Sequence, residues 1–144
     1  MRVRARAFLG LVGLAAACSP PKPGYFQFAE IEAAPDRACV QQVVESVADP
    51  DSVSLTENKS DWVVEYVRDG TRYGVQISPG GTPPFYAHYA WGDAETPAAT
   101  LRQMRERLRE VTRGVQDRCG LPELLARVKE QCVGEHCAEL RAAH

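Results

Sequence analysis

The sequence predicts an α+β domain: an antiparallel meander of about four short strands, with one N-terminal and two C-terminal helices packed on one face. Three observations predict it. Residues 62–68 and 71–78 flank Asp69-Gly70, the dipeptide favoured in type I′ hairpins. Leu101, Met104, Leu108, Val111 and Val115 recur at helical spacing. The strand-like runs are consecutive, with short loops between them, which favours antiparallel neighbours.

The first helix is expected over 35–48, where Val40, Val43, Val44 and Val47 fall on one side together with Cys39. Asp49-Pro50 ends it, because the residue before a proline is pushed out of the helical region. Residues 52–56 alternate as a short strand. Closing the Asp69-Gly70 turn sets Tyr66 opposite Tyr73, Val64 opposite Val75 and Trp62 opposite Ile77, so the large apolar groups share one face. Val63, Glu65, Val67, Arg72, Gly74 and Gln76 are left on the other. A fourth strand is expected over 85–91, with Phe85, Ala87, Tyr89 and Trp91 inward and Tyr86 and His88 outward. Thr96-Pro97 starts a helix, threonine as cap and proline in the first position, and Gly120 ends it. The last helix is expected from Leu121-Pro122, with Leu124, Leu125, Val128 and Cys132 inward, as far as Gly134.

Length allows one domain, placed at 35–137, with a frayed tail over 138–144. With 44% hydrophobic and 25% charged residues the composition is globular, which excludes a disordered chain and a multi-pass membrane protein. A net charge of −2 argues against nucleic acid as a partner. The arginines between Arg102 and Arg118 are interrupted by Glu106, Glu110 and Asp117, the pattern of a solvated helix face.

Residues 1–17 carry a different signal. Arg2, Arg4 and Arg6 precede an apolar run, Ala7 to Ala17, too short to span a bilayer but proportioned as a secretory signal. The run ends Leu14-Ala15-Ala16-Ala17-Cys18. Small residues before a lone cysteine resemble the lipobox of bacterial lipoprotein signal peptides, although Ala15 stands where leucine is usual. The resemblance implies cleavage before Cys18 and diacylglycerol on its sulfur. The competing reading is secretory cleavage after the Ala-x-Ala formed by Ala15 and Ala17. Residues 18–34 would then be the lipidated cysteine and a proline-rich tether, holding Pro20, Pro21 and Pro23. Residues 25–32 are aromatic for a linker, and either an added edge strand or a docked segment fits them. Ser19 is not the aspartate that, by the same resemblance, commonly retains lipoproteins at the inner membrane, which favours an outer-membrane anchor facing the periplasm. Removing residues 1–17 takes three of the 17 basic residues and none of the 19 acidic ones, leaving a net charge of −5.

With Cys18 assigned to lipid, Cys39, Cys119, Cys132 and Cys137 remain, an even set suited to two disulfides in an oxidising compartment. If the last two helices fold back on each other, Cys119 and Cys132 lie roughly 15 Å apart, beyond disulfide reach. The expected pairs are Cys39–Cys119 and Cys132–Cys137. Cys132, His136 and Cys137, with His88, form an irregular cluster that suits disulfide chemistry better than a metal. No Gly-x-Ser-x-Gly, HExxH or phosphate-loop pattern occurs, and no cofactor is expected. The expected function is therefore a membrane-anchored, non-catalytic interaction or structural module. A periplasmic ligand-binding or enzyme-inhibitor module is the alternative, since helix followed by meander is similar in element order to PepSY-type inhibitor domains. An enzyme comes third. The partners expected are the membrane, through the lipid, and an envelope protein or glycan. The candidate binding face comprises Tyr86, His88, Arg72 and Glu65, on the side of the sheet away from the helices.

Overall fold

The computed structural model describes residues 23–142. Six strands form one antiparallel sheet: β1 (Gly24–Glu30), β2 (Ser54–Asn58), β3 (Asp61–Arg68), β4 (Thr71–Ser78), β5 (Phe85–Trp91) and β6 (Lys129–Val133), in the order β2-β3-β4-β5-β1-β6. The helices described are α1 (Arg37–Glu45), α2 (Ala98–Arg118), α3 (Leu124–Arg127) and α4 (Cys137–Ala142). The architecture is α+β with an antiparallel sheet, as expected, but with two more strands and one more helix.

The central hairpin has the expected register: Trp62 faces Ile77, Val64 faces Val75 and Tyr66 faces Tyr73. Asp69 and Gly70 take φ of 50° and 78°, the two positive values that a type I′ turn requires and that glycine adopts without steric cost. Asp36 caps α1 by accepting from the Ala38 amide at 3.1 Å. α1 and α2 cover one face of the sheet with Val40, Val43 and Val44 from the first and Leu101, Met104, Leu108, Val111 and Val115 from the second.

Three expectations are corrected. Residues 24–30, placed within the tether with an edge strand or a docked segment left open for 25–32, form β1, which lies not at the edge but between β5 and β6, with Tyr25, Gln27 and Ala29 buried beneath the helices. The segment expected as a long last helix makes one turn, α3, and then becomes β6. Glu123 sits at φ 63°, outside the right-handed helical region, and the chain then pairs with the edge of β1 that would otherwise be left with bare N–H and C=O groups. The tail expected to fray forms α4, tied down by buried Cys137 and Leu140.

The cysteine pairs match the expected scheme. Cys39–Cys119 joins α1 to the end of α2 with Cα atoms 5.7 Å apart, and Cys132–Cys137 joins β6 to α4 at 5.8 Å, both within the ordinary range. Since Cys132 and Cys137 are bonded to each other, their thiolates are not offered to a metal.

Candidate functional site

The phase of β5 decides what each face of the sheet presents. Tyr86 pairs opposite Ile77, His88 opposite Val75 and Ala90 opposite Tyr73, so all three lie on the helix-covered side. Tyr86 and His88, expected to face outward, are fully buried. Phe85, Ala87, Tyr89 and Trp91, expected inward, lie half-buried on the open side. Two contacts account for this phase. The Tyr86 hydroxyl finds Thr112 Oγ1 of α2 at 2.9 Å, and His88 Nε2 finds the Tyr66 hydroxyl at 2.9 Å, which leaves, of these side chains, only His88 Nδ1 without a hydrogen-bond partner. On the other side the Tyr89 ring lies over Gly74, where a Cβ would sit 2.7 Å from its Cε2. A larger residue at 74 would displace the ring.

Of the four residues of the expected binding face, Glu65 and Arg72 do lie on the open side, on neighbouring strands and two rungs of the ladder apart. Tyr86 and His88 lie beneath the helices, so these four residues do not converge.

Beneath α2 the polar groups form a connected series. Thr112 donates to Gln27 Oε1 at 2.7 Å while meeting Tyr86, and Gln27 donates to Glu130 at 3.4 Å. Glu130 also accepts from the Tyr25 hydroxyl and, bidentately, from Arg109 at 2.8 and 3.1 Å. Partial burial alone would raise the Glu130 carboxyl, but the hydrogen bonds from Arg109, Tyr25 and Gln27 outweigh it and hold the group below the ordinary carboxylate range. Burial raises the phenols of Tyr25, Tyr66 and Tyr86, so all three are neutral. Burial drives the His88 imidazole down to about 3, opposed in part by the Leu108 backbone. His88 is fully buried and its Nε2 is hydrogen-bonded to the Tyr66 hydroxyl, so its place is in the core.

The open side of the sheet is different in kind. β1 contributes Phe26 and Phe28, and β5 contributes Phe85, Tyr89 and Trp91; all five are half-buried, and among the described residues no second layer covers them. Phe26 is directly opposite Tyr89. Phe28 and Phe85 stack with centroids 6.4 Å apart, and Tyr89 meets Trp91 edge to face at 4.7 Å. Five of the ten aromatic residues described thus line the uncovered face, as many as face the helices. Round them stand Gln76, held by its amide to Asp61 at 2.9 Å, and the charged Glu65 and Arg72. Where this face meets the end of β1, a groove of about 870 Å³ opens between Phe28, Ile31, Pro84, Phe85, Arg127 and Lys129. Arg127 is engaged there by Glu32 at 3.3 Å.

Sequence reasoning missed Phe26, Phe28, Phe85, Tyr89 and Trp91 as outward groups. The signal for β1 was present: Tyr25, Gln27 and Ala29 alternate with Phe26 and Phe28, a period of two over a run too aromatic for a linker. For β5 the alternation gives no phase, because both of its faces carry aromatic rings. No family model and no curated protein matches the chain.

Proposed function

We propose that the chain is a membrane-anchored lipoprotein of the bacterial envelope, lipidated at Cys18 and facing the periplasm from the outer membrane. It works as a non-catalytic interaction or structural module whose contact surface is the open face of its sheet. One observation carries the reading of the contact surface: a row of five half-buried aromatic rings on two inner strands, with mixed polar neighbours and no covering layer among the described residues. Aromatic rings with polar company are the groups from which recognition surfaces are built. The anchor rests on the Leu14-to-Cys18 pattern, which lies outside the described residues. The two disulfides support an oxidising compartment, and with it the exported reading.

The test is site-specific photocrosslinking in cells. A photoreactive residue at Tyr89 should form adducts with an envelope component, whether lipid, glycan or protein, and one at the exposed Arg113 of α2 should not. Adducts from position 113 alone would overturn the assignment of the surface. The groove beside Phe85 favours a second reading, a ligand-binding or inhibitory module. Its apolar floor suits an apolar ligand, and Lys129, beside an Arg127 already paired with Glu32 and with Glu30 on the same rim, offers it one polar contact. Loss of capture on Lys129→Glu, with Tyr89 adducts unchanged, would favour that alternative.

A further inference from the structure

We propose that the open sheet face docks on the bilayer that carries the chain's own lipid, seating Trp91, Tyr89 and Phe26 at the headgroup–acyl boundary. This rests on the lipid-anchored reading and names what the contact surface then meets.

The first observation is where the chain enters the sheet. Pro23 is held at the Trp91 corner, where its carbonyl accepts from the Gly92 amide at 2.9 Å, and Gly24 pairs directly opposite Trp91. Gly24 stands six positions after Cys18, so lipid and sheet are at most about 20 Å apart. A leash that short holds the aromatic corner beside the headgroups. It gives the face an effective concentration of bilayer on the order of millimolar, so a weak intrinsic affinity suffices.

The second observation is the order of the rings. Tyr89 and Trp91, which combine an apolar body with a polar tip, stand at the tethered end, with Phe26 level with Tyr89 and Phe28 farther from that end. Tyrosine and tryptophan are the residues enriched where membrane meets water. The third is charge. Glu30, Asp61 and Glu65 share the open side with Arg72 and Lys129, so the face has no basic excess to draw it to anionic headgroups. Contact through rings and not through lysines should be insensitive to salt.

The experiment uses the mature chain beginning at Cys18, its thiol coupled to a maleimide-headed phospholipid in phosphatidylcholine vesicles. Coupling by chemistry separates docking from lipidation in the cell. The chain has two tryptophans, Trp91 on the open face and Trp62 buried beneath the helices. The difference between the wild-type chain and its Trp91→Phe variant therefore isolates the Trp91 signal without disturbing the core. Phosphatidylcholine brominated high in the acyl chain should quench Trp91 about twofold or more in the coupled protein. High salt should leave that quenching unchanged. Equal Trp91 emission in brominated and plain vesicles would overturn the proposal and leave the face to a protein or glycan. Quenching abolished by salt would overturn it too, since contact would then be through charge. A Cys18 found unmodified in cells would overturn the anchored reading, whatever the coupled protein shows.

Discussion

Replacing Tyr86 by alanine separates the two faces of the sheet energetically. The side chain is fully buried against α2, and its hydroxyl meets Thr112 at 2.9 Å. Truncation leaves a cavity where the ring stood, at a cost of about 3–5 kcal/mol for a buried aromatic. It also removes one of the two partners of Thr112, which keeps its bond to Gln27. Tyr89, one residue from His88 on the same strand, is half-buried on the open side and packs chiefly on Trp91 and over Gly74. Tyr89→Ala forfeits an edge-to-face contact worth about 1 kcal/mol and no core volume. Urea denaturation with the disulfides intact, followed by tryptophan fluorescence, reads both variants. Tyr86→Ala should lower the midpoint by roughly 2 M, and Tyr89→Ala by well under 1 M at similar slope. Equal losses, or the reverse order, would mean that β5 presents its other face to the helices, and the assignment of the open surface would fall with it.

Other outcomes follow from the same contacts. His88 is neutral when folded and its imidazole is held below the ordinary value, so the unfolded chain binds the extra proton. Stability should be complete above about pH 6.5 and fall on acidification toward the folded value, by at most about 1.4 kcal/mol per pH unit. His88→Gln should flatten that slope in chemical denaturation measured from pH 7 to 5. The depressed Glu130 carboxyl acts lower, its contribution being lost only as pH falls below the ordinary carboxylate range. Arg109→Ala should cost about 1–2 kcal/mol at pH 7, since it takes the bidentate donor from a half-buried carboxylate. The difference from wild type should shrink in acid. On the chain-entropy view, removing Cys39–Cys119, which spans 80 residues, should cost about 4 kcal/mol. Removing Cys132–Cys137, five residues apart, should cost about 2, with both losses read as thermal midpoints.

What the sequence made legible was local. The β3–β4 hairpin could be read residue for residue, because Asp69-Gly70 fixes the turn and period two then dictates every cross-strand pair. The disulfide pairing came out as expected although its premise, a long last helix carrying Cys132, gave way to α3 and β6. The misreadings all concern long-range pairing. β1 and β6 exist because each completes the other's backbone hydrogen bonding across more than a hundred residues, and no local pattern encodes that partner. Leu124, Leu125 and Val128 keep helical spacing, yet the pairing of Lys129–Val133 with β1 overrides it. The phase of β5 rests on Thr112 and Tyr66, residues distant in sequence that supply partners for Tyr86 and His88. The candidate site inherited that error: its two aromatic members, Tyr86 and His88, were placed one residue out of phase, while Glu65 and Arg72, fixed by the hairpin, lie on the expected side.

The mass of the N-terminal peptide decides whether the proposed anchor at Cys18 exists. Protein recovered from the membrane fraction should yield a peptide beginning at Cys18 with a diacylglyceryl thioether. Cys18→Ser should abolish acyl labelling and move the protein to the soluble fraction. An unmodified peptide beginning at Cys18, or labelling that persists in the serine variant, would contradict the account.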